Sequence, residues 1–226
     1  MLCPNCKGEV LHPPSQTTWD DGPSPWSTGG FVDETTSRYL KYGFIGAILG
    51  IFHSILSGIQ LISFVTYPEF LYAVIIFGLP TLLLGFIQTF LIAMGFLGLH
   101  YKYDDSVCKY VLWFSILYLL IYGVYGVTAV FATIITPIFI AMAMILTFSG
   151  FVTSIVIAWA LWRIKDRSGD PSLTTIVAML GLVGSLIINL MGIIAGSIAS
   201  VFIAILFAYF FKIEQEYEVR QVIKSW

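Results

Sequence analysis

The main shortage in this 226-residue chain is a shortage of charge. Charged residues make up only 11% of the chain, whereas roughly 25% is usual for a soluble domain. A soluble protein of this size could not cover its surface with so few charged groups. The composition therefore excludes an ordinary soluble enzyme, and the 58% of hydrophobic residues excludes a disordered chain.

Positive charge and catalytic motifs are also lacking. The chain has 11 Lys and Arg residues against 13 Asp and Glu, which excludes a free nucleic-acid binder. It contains no phosphate-binding glycine loop, no H-E-x-x-H and no G-x-S-x-G motif. Its first residues have neither the charged region nor the apolar region of a signal peptide. We therefore expect a membrane protein without enzymatic activity, with the lipid bilayer as its main partner.

Long apolar runs are what the chain has in abundance. A helix needs about 20 apolar residues to cross roughly 30 Å of hydrocarbon. The runs predict six spans, at about 42–65, 70–99, 110–133, 138–163, 173–190 and 193–212. Pro137 marks the break between the third and fourth spans, because the residue before a proline disfavours helix. The fold predicted is an all-α integral membrane protein with a six-helix transmembrane bundle, although residues 173–212 could instead form one long bent helix.

The N-terminal segment differs in composition from the rest of the chain. Residues 1–38 contain five prolines and no periodic apolar pattern. We interpret residues 1–14 as a small knuckle and residues 15–38 as a flexible linker to the membrane domain, residues 39–212. Residues 213–226 are predicted to be a cytoplasmic tail, either a surface helix or an extension of the sixth span.

The distribution of basic residues predicts the topology. All eleven fall in the two terminal segments and in two of the predicted loops, as Lys7, Arg38, Lys41, Lys102, Lys109, Arg163, Lys165, Arg167, Lys212, Arg220 and Lys224. The three opposite loops contain a single charged residue, Glu69. Short loops rich in Lys and Arg stay in the cytoplasm. Both termini are therefore predicted to be cytoplasmic in the cell membrane, which requires an even number of spans.

Small residues recur every fourth position in several spans. The first span carries Gly46, Gly50, Ser54 and Gly58, and the second carries Thr81, Gly85, Thr89 and Ala93. Residues four apart share one face of a helix, and small side chains there let helix backbones approach closely. The pattern predicts close helix packing, with a groove for a substrate as the alternative.

Charge is absent from the middle of every predicted span, which argues against ion-coupled transport. His53, near the middle of the first span, is a functional candidate because an ionisable residue inside a membrane often marks a substrate path. The candidate intramembrane polar site consists of His53, Gln88, Tyr118, Tyr122 and Tyr125. The alternative is that these groups only form hydrogen bonds between helices.

The N-terminal motif Cys3-Pro4-Asn5-Cys6-Lys7-Gly8 suggests a metal site. Two thiolates at this spacing can bind one zinc ion. The motif resembles the first knuckle of a zinc ribbon, and in this the chain resembles archaeal-type multi-spanning membrane proteins that carry such a ribbon before their first span. The resemblance covers about residues 1–12. It implies zinc as a cofactor and a cytoplasmic knuckle that could contact a protein partner.

A complete ribbon has a second Cys-x-x-Cys, and none follows here. A closed zinc site needs four ligands, so we predict a site formed by Cys3, Cys6, His12 and Cys108. His100 or a second protomer could supply the fourth ligand instead of Cys108. The alternative is a ribbon that no longer binds metal.

Three classes of function fit these patterns. The first is a non-enzymatic scaffolding, assembly or regulatory protein whose knuckle contacts a partner, and the sequence favours it. The second is a transporter or channel for a small or neutral solute. The third is a membrane enzyme with a metal held by Cys3, Cys6, His100 and Cys108.

Overall fold

The computed structural model describes the backbone of residues 34–66, 71–130, 136–190 and 193–224. These residues form helices α1 (Glu34–Thr66), α2 (Leu71–Tyr103), α3 (Ser106–Val130), α4 (Thr136–Ile164), α5 (Pro171–Leu190) and α6 (Ile193–Lys224). One 3-10 turn, Lys165–Arg167, follows α4, and the described ranges contain no strand. The prediction of an all-helical protein is therefore confirmed. The predicted knuckle and residues 15–33 of the predicted linker lie outside the described residues, whereas residues 34–38 of that linker belong to α1.

Five of these helices are long and apolar enough to cross a membrane. Their apolar segments are Thr35–Gln60, Gly78–Tyr103, Ser106–Gly126, Ala141–Arg167 and Gly196–Glu216. The apolar segment found in α5 is shorter, Pro171–Gly184. Pro80 lies within α2 without dividing it into two helices. These helices fit a multi-pass membrane protein.

Two turns at one end of the bundle are fixed by acidic side chains. Asp105 Oδ1 accepts a hydrogen bond from the backbone N–H of Val107 at 3.0 Å and caps α3. Asp104, just before it, ends α2 in the left-handed region with φ of 48°. At the start of α5, Asp170 Oδ1 accepts a 3.0 Å hydrogen bond from the N–H of Leu173. We call this end of the bundle the charged end.

The helices pack in the order of the sequence, and α6 returns to pack on α1. They therefore form a closed ring in which each helix has two main neighbours. The bundle has buried apolar side chains next to the charged end, which include Leu40, Phe96, Leu99, Val111, Leu161, Ile164, Phe207 and Phe211. Many large apolar side chains elsewhere, such as Phe52, Leu120, Phe148 and Phe202, are exposed. Such an outer surface suits lipid and would be unfavourable in water.

Glycines let the backbones of α1 and α2 touch near the charged end. A Cβ atom on Gly95 of α2 would lie 2.5 Å from the Cα of Gly43 in α1 and 2.7 Å from Phe211 Cε1. Further along α1, a Cβ atom on Gly50 would lie 3.3 Å from the Cβ of Ala204 in α6. The predicted small-residue pattern of α1 therefore serves close packing against both of its neighbours.

We expect Gly95→Ala to destabilise the bundle, because its methyl group would meet the backbone of α1. Overpacking of this kind costs about 1–3 kcal/mol. The matched control is Gly123→Ala in α3, since a Cβ atom there would have nothing within 4 Å. Thermal unfolding of the purified proteins in detergent should show a lower Tm for Gly95→Ala alone. Equal Tm values for the two variants would contradict the close contact.

Candidate functional site

His53 and Tyr122 meet at a glycine inside the bundle. A Cβ atom on Gly85 of α2 would lie 2.8 Å from Nε2 of His53 and 2.9 Å from the hydroxyl oxygen of Tyr122. Ser57 Oγ, one turn beyond His53 on α1, lies 3.4 Å from the same Nε2. The absence of a side chain at Gly85 thus allows polar groups from α1 and α3 to approach α2 at one point.

Gln88 lies one turn beyond Gly85 on α2, and its side chain reaches α1. A Cβ atom on Gly50 would lie 3.1 Å from Gln88 Oε1. This oxygen is buried, and within the described residues it has no hydrogen-bond partner. A buried acceptor without a donor costs about 1–3 kcal/mol. Gln88 is therefore an acceptor that a molecule carrying a hydrogen-bond donor could satisfy.

The three tyrosines of the predicted site differ in their surroundings. The ring of Tyr118 stacks on that of Tyr122, with centroids 5.9 Å apart and planes 12° from parallel. Tyr118 also lies against α4, because a Cβ atom on Gly150 would be 3.3 Å from its ring. Tyr125, nearly one turn further along α3, is partly buried. The structure thus brings His53, Tyr122 and Tyr118 together through Gly85, with Gln88 one turn away.

An aromatic plug, formed by Phe96, Phe207 and Phe211, lies between this polar site and the charged end. Phe96 of α2 meets Phe207 and Phe211 of α6 edge-on, at centroid distances of 6.3 and 5.9 Å. All three side chains are buried. Phe211 also lies against Gly43, and His53 follows Gly43 by ten residues, about 15 Å of helix. Apolar rings therefore fill this part of the bundle on the charged side of the polar site.

Beyond the plug, Asp105 joins the α2–α3 turn to the end of α4. Its buried Oδ2 accepts hydrogen bonds from Arg163 Nε at 3.0 Å and from Arg167 Nη2 at 3.2 Å. Burial alone would raise the pKa of the Asp105 carboxyl, but hydrogen bonds from Arg163 and Val107 and the charges of Arg163 and Arg167 lower that pKa below its ordinary value. We call these contacts the Asp105 clamp.

A second acid, Glu214 of α6, joins three segments at the same end. Its fully buried carboxylate accepts hydrogen bonds from Lys102 Nζ at 2.9 Å, from the hydroxyl of Tyr103, and from the backbone N–H of Gly169 at 2.9 Å. Lys102 Nζ also donates to the backbone oxygen of Glu214 at 2.8 Å. We call this group the Glu214 clamp. It holds α6 against the end of α2 and the link between α4 and α5.

Tyr103 connects the two clamps. Its backbone oxygen accepts a 2.8 Å hydrogen bond from Arg167, while its hydroxyl donates to Glu214. Neither Asp105 nor Glu214 belongs to a site predicted from the sequence. For Asp105 a signal exists in the sequence, since Asp104-Asp105 and Arg163–Arg167 are opposite charges in loops predicted on the same side of the membrane.

The predicted metal ligands fall in two places. Cys3, Cys6 and His12 lie outside the described residues, whereas Cys108 is buried in the apolar core near the charged end. The backbone oxygen of Asp105 accepts from the N–H of Cys108 at 3.2 Å and lies 3.1 Å from His100 Nδ1. In the described part of the chain, no three metal-binding side chains come together. The zinc site thus stays a prediction.

Comparisons with known proteins identified no relative of this chain. No protein-family model matches the chain, and neither the curated proteins nor the solved structures gave a match.

We expect Asp105→Asn to lower stability by about 1–3 kcal/mol at neutral pH, because it weakens hydrogen bonds to a charged acceptor. The folded-state pKa of Asp105 is lowered, so its stabilisation is present above the ordinary pKa and is lost as the pH falls through the folded-state pKa. The Tm difference between wild type and Asp105→Asn should therefore shrink in acid. Asp166→Asn, at an exposed acid nearby, is the control, and a Tm difference independent of pH would contradict the clamp.

Proposed function

We propose that the chain is a six-span membrane protein with its charged end and both termini in the cytoplasm. The support for a sixth span is the length of α5, which has 20 residues, or about 30 Å of helix. The support for the orientation is that the clamps gather Lys102, Arg163 and Arg167 at one end. Short loops rich in such residues stay in the cytoplasm.

For the activity of this bundle we propose passage of a small neutral solute. The observation that carries the proposal is that His53 Nε2 and the Tyr122 hydroxyl meet at Gly85. One turn away lies Gln88 Oε1, which has no hydrogen-bond partner among the residues that the structure describes. Polar groups are expensive inside a membrane and commonly mark substrate paths. No Asp, Glu, Lys or Arg lies in the middle of the spans, which favours a neutral solute over an ion.

The polar groups define the chemistry that such a solute would need. Gln88 Oε1 can accept a hydrogen bond, and the Tyr122 hydroxyl can both donate and accept. In a neutral His53, one ring nitrogen donates a hydrogen bond and the other accepts one. A solute with both donors and acceptors, such as an amide or a polyol, would satisfy these groups. The stacked ring of Tyr118 would form an apolar wall next to it.

We expect His53→Phe to reduce solute flux by at least about tenfold, the effect of losing one good polar contact, without loss of folding. Flux of urea and of glycerol is measured by stopped-flow light scattering on proteoliposomes that contain the purified protein. His100→Phe, the same change at a histidine near the charged end, is the matched control. Flux of wild type equal to that of empty liposomes, or a His53→Phe protein that does not fold, would contradict this proposal.

A second candidate is the function that the sequence favours, a non-enzymatic scaffolding, assembly or regulatory protein. The two clamps support it, because Asp105 and Glu214 tie both loops and α6 together at the charged end. In this proposal a zinc-binding knuckle formed by Cys3 and Cys6 contacts a protein partner or a second protomer.

We expect the full-length protein to carry one zinc ion per chain, since a structural site uses thiolates as ligands. The double variant Cys3→Ser, Cys6→Ser should lose this zinc in elemental analysis by mass spectrometry. Cys108→Ser tests the fourth ligand separately, and retention of zinc there would point to His100 or a second protomer. Equal zinc content in wild type and the double variant would exclude the knuckle as a metal site.

A further inference from the structure

The Glu214 clamp differs from the other helix contacts because it runs across the ring. Neighbouring helices such as α1 and α2 meet along seams of small residues. Glu214 of α6 instead binds Lys102 and Tyr103 at the end of α2, and α2 is not a main neighbour of α6 in the ring. Contacts across the ring hold the helices together at the charged end, and packing between neighbouring helices does not depend on them.

The Asp105 clamp is also the contact that water can most readily replace, whereas the Glu214 side chain is fully buried and that of Lys102 is only 10% exposed. The side chains of Arg163 and Arg167 are 53% and 49% exposed while they bind Asp105. Hydrogen bonds at an exposed end exchange with water at small net cost. By contrast, Gly43 of α1 and Gly95 of α2 touch through their backbones, and separating them would leave an unfilled gap between the two helices. Opening at the charged end would therefore start at the Asp105 clamp and reach Glu214 through Tyr103, whose backbone oxygen binds Arg167 and whose hydroxyl binds Glu214.

The aromatic plug depends on the same element. Phe207 lies on α6 two turns before Glu214, and Phe211 about one turn before it. Both rings meet Phe96 of α2. A displacement of α6 at Glu214 would draw both rings away from Phe96, because the helix continues without a break through these residues. This displacement would open a route from the charged end toward His53.

We propose that Glu214, bound to Lys102, Tyr103 and Gly169, is the latch of a cytoplasmic gate whose closing element is the aromatic plug. The inference rests on the proposed solute passage and adds its control. Release of Glu214 admits water and solute to the polar site, and rebinding of Glu214 excludes them. In the closed state of this gate Glu214 is bound and the three rings are in contact, as they are in the structure.

The test measures access to the polar site from the cytoplasmic side. A reporter cysteine replaces Ser57, whose hydroxyl lies 3.4 Å from His53 Nε2, in a chain with Cys3, Cys6 and Cys108 changed to Ser. A membrane-impermeant methanethiosulfonate reagent is added to inside-out vesicles, and the labelling rate is measured by mass spectrometry. A second reporter, Lys212→Cys, verifies that the charged end faces the reagent, because Lys212 is exposed.

We expect Glu214→Gln to raise the labelling rate of the Ser57→Cys reporter by roughly tenfold, the effect of weakening one charge-assisted hydrogen bond. Glu216→Gln is the matched control, since Glu216 lies on the same helix but is half exposed. If Glu214→Gln does not fold, Tyr103→Phe decides, because it removes only the hydroxyl that bonds Glu214. A smaller but clear increase is expected for this variant.

The outcomes separate failure of the latch from failure of the proposed function. Solute flux in wild type together with equal labelling in Glu214→Gln and Glu216→Gln would overturn the latch and leave solute passage intact. The same holds if Tyr103→Phe replaces Glu214→Gln and labels at the wild-type rate. Absence of urea and glycerol flux in wild type would overturn both.

Discussion

Hydrocarbon offers no hydrogen-bond partner to a polar group, and this constraint shapes the described helices. Backbone groups are satisfied within each helix, which is one of the few arrangements that a membrane interior permits. Association of such helices gains little from the hydrophobic effect, because lipid is as apolar as the side chains it contacts. The helices are instead held together by close van der Waals packing, which contacts such as that of Gly43 with Gly95 permit because the two backbones touch there.

The same constraint separates the polar groups of the bundle into two sets. At the charged end, Asp105 and Glu214 are fully provided with donors and bring several segments together. Deeper in the bundle, His53, Gln88 and Tyr122 have fewer partners, and the Oε1 atom of Gln88 has none in the described part of the chain. The first set joins helices and loops at the charged end, while the second is the set proposed to bind a solute.

The sequence predicts most of the helical layout and less of the sites. Long apolar runs indicate where helices lie, and the spacing of Gly46 and Gly50 indicates close packing, because both are local patterns. The pairing of Glu214 with Lys102 is beyond such patterns, since 112 residues separate the two in sequence. Gly85 shows a mixed outcome. Its spacing predicts packing, but its contact with His53 and Tyr122 depends on how α1, α2 and α3 are arranged around it.

The position of Glu214 also has a consequence for biosynthesis. Among the described residues, the partners of its clamp, Lys102, Tyr103 and Gly169, all precede it in the sequence. During translation those partners are synthesised first, and the carboxylate of Glu214 emerges from the ribosome only with the last helix. The side chain of Lys102 is only 10% exposed once the clamp has formed, and a chain that has not yet reached residue 214 lacks the carboxylate that Lys102 binds there. Formation of the Glu214 clamp is therefore coupled to synthesis of the last helix.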